Sequence, residues 1–356
     1  MSLHSIKMIF DSTNIYTYLF GAMIIISVGY FSSKIKKTLE NEESEYEIIR
    51  KYLLNDSPLY GFNRPKIWIH SKYEVNSRKW KDFSSRNTTD LNQPYIHLTI
   101  KTIINHCGDD FNICLIDDDS FSKLLPSWDI YLSAVAEPMK SHLREMGMAE
   151  LLYYYGGMVL PNSFLCMKNL ISFYQNTISY GRPFVCEAIN RTTNLLHQKH
   201  KLLFIPDLSI MGAAKNDPVI LELIEMLKAR NKSCHFAGET DFVGDTSQWC
   251  LDAIRQQKLT LVGGETIGVK TAKRKTILLE NLMEEEYIDF DSSIMGVYIP
   301  GEEILRRPKF QWFAVLPSEQ VISSNMIISK LLMASIADTT QEYSKKREVE
   351  RSVVSI

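Results

Sequence analysis

Several fingerprints are missing from this chain. No G-x-x-x-x-G-K-[ST] loop, G-x-G-x-x-G turn or G-x-S-x-G elbow occurs, and Gly263-Gly264 is too sparse to stand in for one. P-loop, dinucleotide-turn and nucleophile-elbow chemistries therefore have no support. None of the six cysteines (Cys107, Cys114, Cys166, Cys186, Cys234 and Cys250) forms a C-x-x-C pair, which argues against a zinc site. Scattered through a chain this long, they read as ordinary core or surface thiols rather than a disulfide framework. His197-x-x-His200 has helical spacing, but no third ligand accompanies it. Basic excess is absent too: 40 Lys and Arg face 42 Asp and Glu, for a formal net charge of −2. That leaves no electrostatic case for a nucleic-acid partner. There is no internal repeat and no low-complexity stretch.

What is present is a chain of 356 residues, 45% hydrophobic and 23% charged, enough for a sizeable folded core. Residues 1–14 form a short N-terminal segment. Residues 15–31, IYTYLFGAMIIISVGYF, carry no charge and are near the lower length for crossing a bilayer. Tyr16, Tyr18 and Tyr30 fall near the ends, where an interfacial aromatic belt would place them. A buried core helix or a signal-peptide h-region are the alternatives. No small-residue cleavage site follows; Lys34, Ile35, Lys36 and Lys37 follow instead. The reading is a retained single-pass anchor. Lys7 precedes the span and Lys34, Lys36 and Lys37 follow it, so the positive-inside rule places the C-terminal domain in the cytoplasm. Residues 32–60 read as a charged helical stalk with apolar Leu39, Tyr46, Ile49, Tyr52 and Leu53, ended by Asn55-Asp56-Ser57-Pro58. Residues 61–336 form the main domain and residues 337–356 a polar tail. Sequons at Asn55, Asn87, Asn190 and Asn231 matter only in a secretory lumen.

Within the main domain, Lys66–His70 and Phe111–Ile116 read as buried strands, with an amphipathic segment from His97 to Ile104 between them. A helix over Pro138–Tyr155 is stopped by Gly156-Gly157, and Met158–Leu160 forms a third strand. Phe184–Cys186 and Leu208–Met211 are further strands. Helices are expected over Pro218–Arg230 and Glu319–Ile336. Strands alternating with helices imply a mostly parallel sheet covered on both faces.

The most specific stretch runs from Leu143 to Leu170, LREMGMAELLYYYGGMVLPNSFLCMKNL. With Pro65-Lys66-Ile67-Trp68-Ile69-His70 before it and Ser209–Pro218 after it, the region resembles the DxD-containing sugar transferases related to capsular-polysaccharide synthesis proteins and yeast initiating mannosyltransferases. The wording GGMVLPNSFLC also resembles uncharacterised membrane proteins of large DNA viruses. The family resemblance covers about half the chain. It implies a GT-A-like, Rossmann-like α/β fold. It also implies a nucleotide-sugar donor, a glycan or protein acceptor, and Mn²⁺ or Mg²⁺ held by an acidic motif beyond a strand end. The chain departs from that pattern. Gly156-Gly157 matches the family's glycine pair, which puts the acidic motif at Pro161-Asn162-Ser163, where there is no carboxylate. The family's helix Asp falls on Glu145 and its Arg on Met148.

Trp68, His70, Glu145, Gly156, Gly157, Asn162 and Ser163 are thus the candidate substrate-binding residues. The catalytic residues are not assigned, and no cofactor is certain. Asp117-Asp118-Asp119 after the second strand is the substitute metal candidate, against the simpler reading of a turn whose Asp119 or Ser120 caps a helix. Glu239, Asp241 and Asp245 read as a solvated loop, and Glu284-Glu285-Glu286 as an exposed turn. Two functions follow: a membrane-anchored sugar transferase with its metal motif replaced, or a catalytically inactive scaffold that keeps the fold.

Overall fold

The structure is a computed structural model that describes residues 64–71, 93–126, 128–189, 203–233 and 239–337, all within one compact unit, Tyr52–Ile356. The span at 15–31, the stalk at 32–60, the tail beyond 337, and His197 and His200 lie outside the described residues. Among the described residues, no helix is long and apolar enough to cross a membrane.

Strand β1 (Lys66–His70) follows Pro65, which disfavours helix in the residue before it and leaves the chain extended. Its Ile67, Trp68 and Ile69 are all fully buried. Successive side chains point to opposite faces, so both faces of the strand are covered. Helix α1 (Pro94–Cys107) starts with proline at its first turn and buries Tyr95, Leu98, Thr99 and Thr102. β2 (Asn112–Ile116) pairs in parallel with β1, Trp68 opposite Cys114 and His70 opposite Ile116. After α2 (Ser120–Leu124), the long α3 (Met139–Tyr155) returns the chain to β3 (Gly157–Val159), parallel to β1 on its other side.

β4 (Phe164–Cys166) leaves the main sheet, and α4 (Ile171–Ile178) leads to β5 (Phe184–Ile189) and β6 (Phe204–Ala213). α5 (Pro218–Ser233) and α6 (Glu239–Arg255) precede β7 (Thr260–Val262). The six strands lie in the order β2-β1-β3-β6-β5-β7. β2, β1 and β3 are mutually parallel, as are β5 and β7, and β6 runs antiparallel to both β3 and β5. The result is a mixed, mostly parallel α/β sheet. The antiparallel course of β6 was not expected from the alternation of elements.

Two cores flank this arrangement. One joins Trp68, Cys114, Val159 and Met211 of the sheet to Met146, Leu151 and Leu152 of α3 and to Leu223 and Leu227 of α5. Lys228 of α5 reaches Glu150 of α3 at 2.6 Å across that layer. The other gathers Tyr95 and Leu98 of α1 with the C-terminal third. There β8 (Gly296–Tyr298) pairs with β4 as a second, two-stranded sheet. Short helices surround it: α7 (Leu279–Met283), α8 (Gly301–Arg306), α9 (Gln311–Ala314) and α10 (Ser318–Ser323).

Two expectations are corrected. Residues 239–255, expected as a loop at Glu239, Asp241 and Asp245, form a helix whose buried Thr246, Ser247, Cys250 and Ala253 recur at helical spacing. The single helix expected over Glu319–Ile336 is two, α10 and a helix over 327–337. The break falls at Ser324-Asn325, where Ser324 is extended and its hydroxyl meets Ser329 at 2.6 Å. The Glu284-Glu285-Glu286 segment is exposed, as a charged turn should be.

Candidate functional site

The chain leaves β1 for β2 on one side and then crosses to β3 on the other. In an open α/β sheet that reversal opens a crevice at the C-terminal strand ends, where ligands bind. Here the crevice is bordered by His70 at the end of β1, by Asp117–Asp119 beyond β2, and by Leu160–Ser163 beyond β3.

The glycine pair lies at the other end of β3, where α3 enters the strand. Gly156 ends α3 with φ of 68° and Gly157 enters β3 with φ of 103°, both in the left-handed region that favours glycine. A Cβ on Gly157 would stand 2.2 Å from the Lys66 carbonyl oxygen. Both glycines therefore serve the fold. Trp68 belongs with them: it is fully buried, and its Nε1 donates to the Gly156 carbonyl at 3.0 Å. The expectation that Trp68 lines the cleft is thereby corrected, because strand alternation turns it into the core under α3.

The loop after β3 is pinned from both sides. Thr99 of α1 donates to the Asn162 carbonyl at 2.6 Å, and Ser163, itself buried, donates to the Ile299 carbonyl at 2.7 Å. The Ser163 hydroxyl is thus committed to the second sheet. These residues do not fit a divalent cation. Pro161 offers no side-chain donor atom, Ser163 is engaged, and the Asn162 amide alone is a weak neutral ligand.

The three aspartates do not converge either. Asp117 accepts from the Ser120 backbone N–H at 2.9 Å and from its hydroxyl at 2.6 Å, the capping role expected two or three residues later. Asp118 turns to the crevice and Asp119 is exposed. Among the described residues, no group of three His, Cys, Asp or Glu could hold a metal ion.

Asp118 is the centre of a charged network. Arg144 of α3 donates to both its carboxylate oxygens at 2.7 Å, and His70 Nε2 lies 3.0 Å from Oδ1. Arg144 also reaches Glu137 at 3.3 Å. Burial alone would raise the Asp118 carboxyl, but the hydrogen bonds and charges of Arg144 and His70 overcome this and hold it well below the usual range. Its contribution to stability is therefore present above the unfolded-state value near 3.9 and is lost as pH falls below it toward the folded-state value. Asp118→Asn is expected to cost about 1–3 kcal/mol in urea unfolding at pH 7, with the difference from wild type shrinking at pH 3. An equal difference at both pH values would refute the assignment.

A second acidic feature lies on β6. The β5–β6 ladder jumps from Val185 opposite Met211 to Cys186 opposite Asp207, so Leu208, Ser209 and Ile210 bulge out of register. The Ser209 backbone N–H donates to Asp207 Oδ1 at 2.7 Å, and the Ser209 hydroxyl bonds the same oxygen. Asp207 and Ser209 line a crevice with Cys186, Glu187 and Tyr298. Glu145, partly buried on α3, is pushed up to about 8 by loss of water and by the Asp207 charge. Asp207 escaped the sequence reading because nothing local marks it, and a bulge leaves no signal in hydrophobic periodicity. Nor did the sequence single out Arg144.

The five described cysteines are free and buried, Cys107 and Cys166 with their sulfurs 3.9 Å apart. Asn231 of the fourth sequon is buried with its amide on the Met146 sulfur at 3.7 Å, so it offers no acceptor for glycosylation in the folded protein.

No family model and no curated protein matches this chain. Among solved structures, one described as "PaToxG Glycosyltransferase" is similar to it over 62% of this chain and 80% of that chain, at 16% identity and a TM-score of 0.28. Similarity at that level says nothing of activity.

Proposed function

We propose that this chain is a membrane-anchored, glycosyltransferase-like protein, a divergent relative of the DxD sugar transferases. It takes a nucleotide-sugar donor in the crevice between the ends of β1 and β3 and passes the sugar to a glycan or protein acceptor. Residues 15–31 anchor it, with the domain on the cytoplasmic side. The observation that carries the reading is the meeting of His70, Asp118 and Arg144 at the topological switch point, with Glu145, next to Arg144 on α3, raised by burial and by the charge of Asp207. Titratable groups with displaced proton affinities gather at sites that do chemistry. The replaced motif at Pro161-Asn162-Ser163 makes donor binding weakly dependent on metal, and no step is routed through one.

Isothermal titration of the full chain in detergent with UDP-glucose, UDP-N-acetylglucosamine and GDP-mannose tests this. Binding of at least one donor is expected, with affinity changed by less than about tenfold on adding Mn²⁺. No heat from any of them, with or without Mn²⁺, would end the proposal.

One observation favours a second reading, a non-catalytic scaffold: the Ser163 hydroxyl and the Asn162 carbonyl are built into the packing of α1 and the second sheet. That reading expects no donor binding, and loss of biological effect on deleting residues 15–31.

A further inference from the structure

His70 closes β1 beside the point where β3 turns away. Its ring stacks on Phe121, with centroids 5.7 Å apart and planes 10° from parallel. Nε2 faces Asp118, which Arg144 clamps with two charged hydrogen bonds. An ionised carboxylate only accepts, so the proton of the neutral ring sits on Nε2 and the lone pair sits on Nδ1. Among the described residues the ring's one hydrogen bond is made through Nε2, to Asp118. The side chain as a whole is 18% exposed. The ring is thus held by stacking and by one nitrogen. The same arrangement fixes the tautomer of a base and stabilises the imidazolium it becomes.

We propose that His70 is the general base of the transfer step, an inference that rests on the donor-binding reading above. The oxygen of the acceptor hydroxyl bonds to the anomeric carbon of the donor as its proton passes to His70 Nδ1. The bond from that carbon to the diphosphate oxygen breaks, and its electron pair leaves on the diphosphate. The imidazolium then returns its proton to solvent. Water replaces the acceptor in donor hydrolysis. Asp118 and Arg144 are positioning residues: Asp118 sets the tautomer and Arg144 holds Asp118 in place.

Hydrolysis of UDP-glucose and GDP-mannose by the full chain in detergent provides the test. His70→Gln is expected to lower kcat by roughly 10²–10⁴-fold while donor Kd stays within about threefold. His70→Ala is expected to recover part of its turnover when free imidazole is added, which a merely structural role would not allow. Asp118→Asn should lower kcat by at least about tenfold without loss of donor binding. A measurement on the unsubstituted protein stands beside these: ¹⁵N NMR should find the neutral His70 ring protonated on Nε2. A wild-type protein that binds no donor overturns the functional reading and this inference with it. A protein that turns donor over equally well with His70→Gln, or a ring protonated on Nδ1, overturns the inference alone.

Discussion

Glu145→Gln is expected to stabilise the protein in alkaline solution, by on the order of 2–4 kcal/mol at pH 9. Burial, and after it the charge of Asp207 on β6, lifts the folded-state value of Glu145 of α3 to about 8. In the unfolded chain it titrates near 4.3. A group raised in this way leaves stability intact below the unfolded value. Stability is lost as pH climbs from there through the folded value, because the native state must then hold two like charges in partly buried surroundings. Glutamine keeps the shape and removes the charge. Urea unfolding at pH 5, 7 and 9 should show the two proteins close together at pH 5 and diverging upward in favour of the variant. Parallel profiles would show that Glu145 is not held against Asp207. The thiols of Cys186 and Cys250 are raised by burial first and by Asp207 second, with Glu145 adding to the effect at Cys250 alone. A fold that keeps such a pair gives up stability beside β6, as functional sites commonly do.

Gly157→Ala should be the most damaging small substitution in the domain. Its φ of 103° already strains any residue with a side chain. The added carbon would lie 2.2 Å from the Lys66 carbonyl oxygen and 2.9 Å from the Lys66 carbonyl carbon. Those atoms are backbone of β1, and moving them breaks the pairing of Ile67 with Met158 and of Trp68 with Val159. A loss of at least about 3–5 kcal/mol is expected, seen as insoluble protein or a fall in Tm of roughly 10 °C. Gly181→Ala is the control: its φ of 67° is also left-handed, but nothing lies within 4 Å of the added carbon. There the cost should be about 1 kcal/mol. Equal falls in Tm for the two variants would mean that the backbone approach at Gly157 is not what demands glycine.

Much of the local structure was legible because local physics decides it. Lys66–His70 is a strand from its apolar run after proline, and Gly156-Gly157 stops α3 where the pattern stops. Legibility failed where the signal was tertiary. The Gly-containing stretch at 239–245 reads as a loop because its polar residues outweigh a helical stripe that appears from Thr246 onward. The same limit applies at the site. Asp117-Asp118-Asp119 is uniform as a sequence, yet Asp117 turns inward to Ser120, Asp118 faces Arg144, and Asp119 faces water. Three identical side chains received three roles from the direction of one turn.

The sequence by itself determined the α/β alternation, the glycine pair that lets α3 enter β3, and the absence of carboxylates at Pro161-Asn162-Ser163. Each is a property of neighbouring residues, set by backbone conformation or by side-chain chemistry. The tertiary structure alone decided that Trp68 belongs to the core, that β6 runs antiparallel with a bulge at Asp207, and that His70, Asp118 and Arg144 meet. Those contacts join separate elements across the sheet. Their partners are chosen by strand order and by which way each strand end faces, and no short stretch of sequence records either.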